Sequence, residues 1–388
     1  MEFNILKFCK EKKHEILIFV SFFIYFFIWH NLNFNYVEIN NNSLTVAIKI
    51  YSFVPYASLL LDNLFQNIVI KNFLGNIFFP AAVSLVLFVI FKKITSSNFW
   101  AYSLTLLSMS SNENYPFINF LKGIIEFQNI NELVNKYENF EIIGFPIPSF
   151  SILYFSILFF YSFSLVRFDG LKIYILTFFW FLGPYIHPVD GMLGIVYWVL
   201  SLLFVLLVKK KKISLYFHIY FLIALLLSLM PIIYSLDFKI FIVQDTQSIP
   251  IYNFIFYLLA PLLIIIFLFK FIKIDQYEFF NKFSNIYFLM IIEIIIIFLS
   301  INGIGLDLRM FQNRITLFLL HYLYYAPIIY YLNKDEVFIV NKITNKNKFT
   351  YFIIKLIYFV FNKYKSFYLI PLTLLIVIYF VFSLKIYA

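Results

Sequence analysis

Long apolar runs, broken only by short polar links, constrain this chain more than any motif does. Ile251–Phe269 and Ile286–Ile301 are nearly continuous, with no polar–apolar alternation. A transmembrane barrel needs alternating segments of roughly ten residues, so continuous runs argue for helices. About eleven runs approach the roughly 20 residues that cross a bilayer. They fall near 14–29, 73–91, 97–112, 148–166, 171–187, 191–208, 214–234, 251–270, 285–302, 314–332 and 367–386. Residues 97–112 hold six Ser or Thr, which suggests a short or tilted helix. Residues 351–361 are apolar but brief, and suit an interfacial helix better than a span.

The links alternate in charge. Links 1–13, 92–98, 167–172, 209–212, 270–284 and 333–366 carry 22 of the 30 Lys and Arg. The opposite set (30–72, 111–147, 187–190, 235–250, 303–314 and 385–388) carries 8. Basic links stay cytoplasmic, so this bias predicts an internal N-terminus and an external C-terminus. The expectation is an all-α, polytopic, multi-pass protein of a cell membrane. Its first two long outer links hold amphipathic helices, around Leu44–Phe65 and Tyr115–Phe127.

Composition agrees with this class. Of 388 residues, 63% are hydrophobic and 13% charged, with a mean hydropathy of +0.88. A soluble domain of that make-up would expose too much apolar surface to stay dispersed. The net charge of +10 sits in the inner links, facing anionic head groups, and is not a nucleic-acid signal. Cys9 is the sole cysteine, which excludes a disulfide within the chain and a cysteine-based metal site. The basic start and the apolar run Ile16–Trp29, with no small-residue cleavage pattern after it, predict a retained first helix. No Walker A, GxGxxG, HExxH or GxSxG pattern is present, which disfavours nucleotide-driven chemistry.

Residues with chemical potential gather in the outer links. Glu38 and Asp62 are the acidic residues of the first one. Either could act as a general base toward an acceptor hydroxyl, or bind a divalent cation, the one cofactor the chain leaves open. Solvated loop charge is the plain alternative. Pro184-Tyr-Ile-His-Pro-Val-Asp-Gly191 is the sharpest motif. It packs His187 and Asp190 into a very short turn between two apolar runs, where a simple turn would suffice. Asp307-Leu-Arg-Met-Phe-Gln-Asn-Arg314 holds Arg309, Gln312 and Arg314. Outer arginines run against the charge rule, and a guanidinium fork suits phosphate or pyrophosphate. Interfacial snorkelling is the alternative. His321 lies two turns beyond Arg314 on the same helical face. Glu293 sits mid-run, where a carboxylate usually faces a cavity or partner.

This layout resembles the GT-C superfamily of integral membrane glycosyltransferases. The likeness rests on a long outer link with acidic residues after the first helix and a second long outer link after the third. It rests further on Phe145-Pro-Ile-Pro-Ser149 opening a helix, and on the Tyr185-Ile-His-Pro-Val-Asp190 turn. It covers a core module at 10–235; residues 236–388 form a variable C-terminal part of the same membrane domain, 1–388. The resemblance implies sugar transfer from a polyprenyl-phosphate-linked donor to a glycan, lipid or protein acceptor on the outer face. Glu38 or Asp62 would serve as base, with His187, Asp190, Arg309, Gln312, Arg314 and His321 binding substrate. A glycan polymerase or ligase is one alternative. A transporter or lipid-linked glycan flippase is another, and would call for inverted repeats and several buried charges, whereas Glu293 stands alone.

Overall fold

The computed structural model describes residues 11–32, 68–110, 149–163, 171–186, 188–207, 214–236, 259–267 and 322–334, with isolated positions between 269 and 291. These are helical, and no strand occurs among them. In chain order the helices are α1 (Lys13–Leu32), α2 (Ile68–Phe73), a π-helical turn (Leu74–Phe78), α3 (Phe79–Thr95) and α4 (Asn98–Ser110). Then come α5 (Ser149–Phe163), α6 (Leu171–Ile186), α7 (Pro188–Leu207), α8 (Leu215–Leu236), α9 (Ala260–Phe267), a 3-10 turn (Leu323–Tyr325) and α10 (Ala326–Lys334).

Pro80 explains the π-turn. It lies in the first turn of α3 and has no N–H to donate back to residue 76, and its ring would press on that carbonyl. The backbone widens instead, and Phe79 N–H reaches Leu74 O, five residues back. α2, the π-turn and α3 thus form one unbroken stretch. At its far end Ser96 takes a left-handed conformation (φ 56°, ψ 21°) and donates its N–H to Lys92 O.

Side-chain contacts fix the direction of each helix. α1 and α3 are antiparallel: Glu15 meets Lys92 at one end, while Phe19 and Phe23 meet Phe78 and Phe73 toward the other. α5 runs parallel to α3, with Phe150 against Phe79 and Phe160 beneath the Lys93 ammonium. α6 and α7 form an antiparallel hairpin. α8 runs parallel to α6, since Tyr220 donates to Tyr174 O and Tyr185 to Leu227 O. The result is a serpentine, α3 packing on α1, α4, α5 and α10, and α6 on α7 and α8.

The core is aromatic. Trp180 stacks on Phe155 and Trp198, and both indoles are buried with their N–H groups satisfied. Trp180 donates to Ser162 Oγ at 2.8 Å and Trp198 to Thr177 Oγ1 at 2.9 Å. Buried indole donors need such partners, because an orphaned donor costs about 1–3 kcal/mol. Ser84, Thr105 and Ser162 close their hydroxyls onto carbonyls three or four residues back in their own helices.

Among the described residues the all-helical expectation holds; the finer one, of about eleven spans, is not shown by them. Among the described residues no helix is long and apolar enough to cross a membrane. α4, α5 and α6 are 13, 15 and 16 residues long, short of the roughly 20 needed. α1 opens on Lys13-His14-Glu15 and α7 carries Asp190 in its first turn. In α8 the described side chains end at Met230. The two amphipathic loop helices, the interfacial 351–361 segment and the 367–386 run lie outside the described residues.

Candidate functional site

The turn between α6 and α7 carries the sharpest sequence motif. Only residue 187 separates Ile186, the end of α6, from Pro188, the start of α7. Proline suits that first position, where its fixed φ is helical and its missing N–H has no partner to lose. The turn is thus tighter than the expected start of α7 near residue 191. The backbone of Asp190 falls in α7's first turn.

Three glycines let the two helices touch. A Cβ on Gly191 would lie 2.1 Å from Pro184 N and 2.3 Å from Gly183 C, inside the backbone of α6. One on Gly194 would meet the Trp180 ring at 2.7 Å, and one on Gly183 would meet Gly191 Cα and the Phe155 ring at 3.0 Å. Small residues at a crossing permit close backbone approach. Pro184 sits within α6, buried, two residues before its end. Tyr185 ties the hairpin to α8 through its hydroxyl, 2.8 Å from Leu227 O. Much of the motif therefore has packing work, whatever else it does.

The turn lies at the bundle end where α3 and α5 begin and α1, α4 and α8 finish. Both long links, 33–67 and 111–148, must leave and re-enter at this end. Glu38 and Asp62 belong to the first of these links, but they lie outside the described residues, as do His187, Glu293, Arg309, Gln312, Arg314 and His321. Of Asp190 the backbone alone is described. No two predicted site residues are brought together by a described contact. Among the described residues no three His, Cys, Asp or Glu side chains gather as a metal would require.

The opposite end shows what sequence reasoning missed. Glu15 Oε1 accepts from Lys92 Nζ at 3.0 Å, with Lys12 Nζ at 3.9 Å. The Glu15 side chain is 15% exposed, so this pair is largely withdrawn from solvent. Lys93 is exposed overall but lays its ammonium 5.2 Å from the Phe160 ring, and partial desolvation there holds its pKa below the ordinary lysine value. A separation of 77 residues hid the Glu15–Lys92 pair; the only signal was a glutamate inside a basic start. In comparisons with known proteins, no protein-family model, no curated protein and no solved structure matches this chain.

Proposed function

We propose that this protein works embedded in a membrane and transfers a sugar from a polyprenyl-phosphate-linked donor to an acceptor on the non-cytoplasmic side. One observation supports the membrane setting above others: the bundle is apolar on its outside. α8 exposes Ile219, Leu222, Ile223, Leu226, Leu227 and Met230, each more than half exposed. α1 exposes Ile16, Val20, Ile24 and Phe27 along one stripe. Meanwhile Ser84, Thr105, Ser156 and Thr177 are fully buried. Water-exposed apolar patches on a soluble monomer rarely exceed a few hundred Å², and lipid is the solvent that suits this surface.

The transfer chemistry rests on the outer-link residues and on the GT-C resemblance. Departure of a lipid phosphate builds negative charge on oxygen while the sugar gains oxocarbenium character. Arg309 and Arg314 are the groups suited to the first, and Glu38 to deprotonating the acceptor. Links anchored at the same bundle end as the α6–α7 turn are consistent with a shared site there.

Reconstituted protein assayed with a polyprenyl-phosphate sugar tests this reading. Glu38→Gln should abolish transfer and leave donor binding largely intact. Arg309→Ala should weaken both, since a phosphate contact exists in the ground and transition states. Full activity in Glu38→Gln moves the base to Asp62 or Asp190. Absence of transfer from any lipid-linked donor, with ion-coupled transport lost in Glu293→Gln, replaces the enzyme with a transporter.

A further inference from the structure

The end of the bundle opposite the α6–α7 turn gathers positive charge from three separate stretches of chain. Lys12 directly precedes α1 and Lys13 opens it, Lys92 and Lys93 lie in the last turn of α3, and Lys172 lies in the first turn of α6. The helix directions above put all of these at one end. Glu11 and Glu15 are the acidic groups that α1 brings there. Glu15 is turned inward onto Lys92, with Lys12 alongside, which leaves Lys13, Lys93 and Lys172 exposed. His14 is half-buried beside them, and His218 turns its ring onto Ser214 O.

The surface next to this charge is apolar. Leu171 is 73% exposed and directly precedes Lys172; Leu215 and Tyr216, at the start of α8, are 74% and 80% exposed. Tyr161 is exposed next to Phe160, on which Lys93 rests. Cationic heads beside bare hydrocarbon match a surface whose phosphates adjoin acyl chains. A soluble polyanion would complement the lysines and leave Leu171, Leu215 and Tyr216 bare.

We infer that this lysine-bearing end is a docking surface for a leaflet rich in anionic phospholipid, with Lys93 and Lys172 as contacts to lipid phosphate. The inference rests on the membrane setting proposed above, and is independent of sugar transfer. Each lysine at a leaflet surface should raise association with anionic lipid about fivefold. Charge is what counts, because phosphate contacts by ammonium groups are not geometrically demanding.

The test is lipid selectivity. Full-length protein is reconstituted in phosphatidylcholine vesicles carrying trace spin-labelled phosphatidylglycerol or spin-labelled phosphatidylcholine, and the bound fractions are compared. Wild type should prefer phosphatidylglycerol several-fold, and high salt should erode the preference. The double variant Lys93→Gln, Lys172→Gln should lower that preference markedly, with the remaining lysines of this end holding part of it. Lys93→Arg with Lys172→Arg should keep it, as should Lys71→Gln, which lies on α2 at the other end. Equal binding of both lipids by wild type overturns the inference, and so does a preference unchanged in the double glutamine variant. A preference abolished by inorganic phosphate at constant ionic strength overturns it too, by assigning the lysines to a soluble anion. Flotation of the vesicles separates the two levels: protein that never enters them refutes the membrane setting itself.

Discussion

Two helical hairpins in this molecule reverse direction over almost no chain, and they do it by opposite means. Between α3 and α4 the link is Ser96-Ser97, and the link residues make the turn. Ser96 goes left-handed and caps α3, while Ser97 Oγ accepts from Trp100 N–H at the start of α4. Thr95 Oγ1 donates to Ser97 O and accepts from Ser97 N–H, which closes the corner. Between α6 and α7 the link is one residue, and the helices themselves do the work. Gly183, Gly191 and Gly194 remove the side chains that would hold the backbones apart. The corner of the first hairpin is shaped by replaceable polar contacts, that of the second by the close approach that its glycines permit. Polar contacts can be lost one at a time, whereas a clash with backbone cannot be partly accepted.

The largest effect should therefore come from Gly191→Ala. Its methyl would overlap Pro184 N and Gly183 C, and neither is the end of a flexible chain. Overpacking of this kind costs about 3 kcal/mol. Gly194→Ala meets a Trp180 ring, which can tilt, and should cost less; Gly183→Ala, at 3.0 Å, should cost least of the three. Unfolding midpoints in detergent should follow that order. If Gly191→Ala unfolds with the wild type, the close approach of α6 and α7 is wrong, and the contrast between the hairpins goes with it.

Next comes the ion pair at the base of the α3–α4 hairpin. Lys92 has two duties: its carbonyl accepts the Ser96 N–H, and its ammonium holds Glu15. Lys92→Met leaves the backbone bond but strands a mostly buried carboxylate with only Lys12, at 3.9 Å. Fully exposed pairs are worth about 0–1 kcal/mol, and breaking a buried one costs about 3–5 kcal/mol. This half-buried pair should fall between, at about 2 kcal/mol for Lys92→Met. Glu15→Gln should cost less, because it leaves a solvent-reaching ammonium that is 35% exposed. Equal losses in the two variants would mean the carboxylate is not the constrained partner.

These elements also show what could be read from residue order. The apolar runs at 171–187 and 214–234 match α6 and α8 to within two residues, and the run at 73–91 falls inside the unbroken stretch from α2 to α3, because apolar content and helix length are local properties. α7 starts three residues before the expected 191, because Pro188 serves as its first helical residue. The π-turn was invisible, although Pro80 inside an apolar run was its signal. Glycine contacts at 183, 191 and 194 depend on which faces meet across a crossing, and no local pattern specifies that. The expected site residues lie mostly outside the described residues, and the described helix ends that flank the link carrying Glu38 and Asp62 lie at the end bearing the α6–α7 turn. Convergence of the side chains depends on loop paths that helix periodicity does not encode.

Ser97→Ala should be a smaller loss. A serine N-cap is worth about 1 kcal/mol, and the 3.5 Å separation from Trp100 N sits at the weak limit of such bonds. A cost of about 0.5 kcal/mol is expected, read as a small drop in midpoint and faster exchange of the first amides of α4. A loss as large as that of Lys92→Met would mean Ser97 holds the corner alone.

Ser96→Gly should be the smallest effect and the only gain. A non-glycine residue at φ 56° brings its Cβ near the following carbonyl, a strain of about 1 kcal/mol that glycine escapes. The gain is offset in part, because glycine enlarges the entropy of the unfolded chain. The Ser96 side chain is exposed, so its removal opens no cavity. The bond from residue 96 N–H to Lys92 O is backbone and survives the change. A net stabilisation of about 0.3 kcal/mol follows, seen as a slightly raised unfolding midpoint. The same hairpin would then gain from a glycine at its corner, while its counterpart loses from removal of one in its wall. A clear loss in Ser96→Gly would show instead that the serine hydroxyl joins the capping contacts, and that the two hairpins differ less than their backbones suggest.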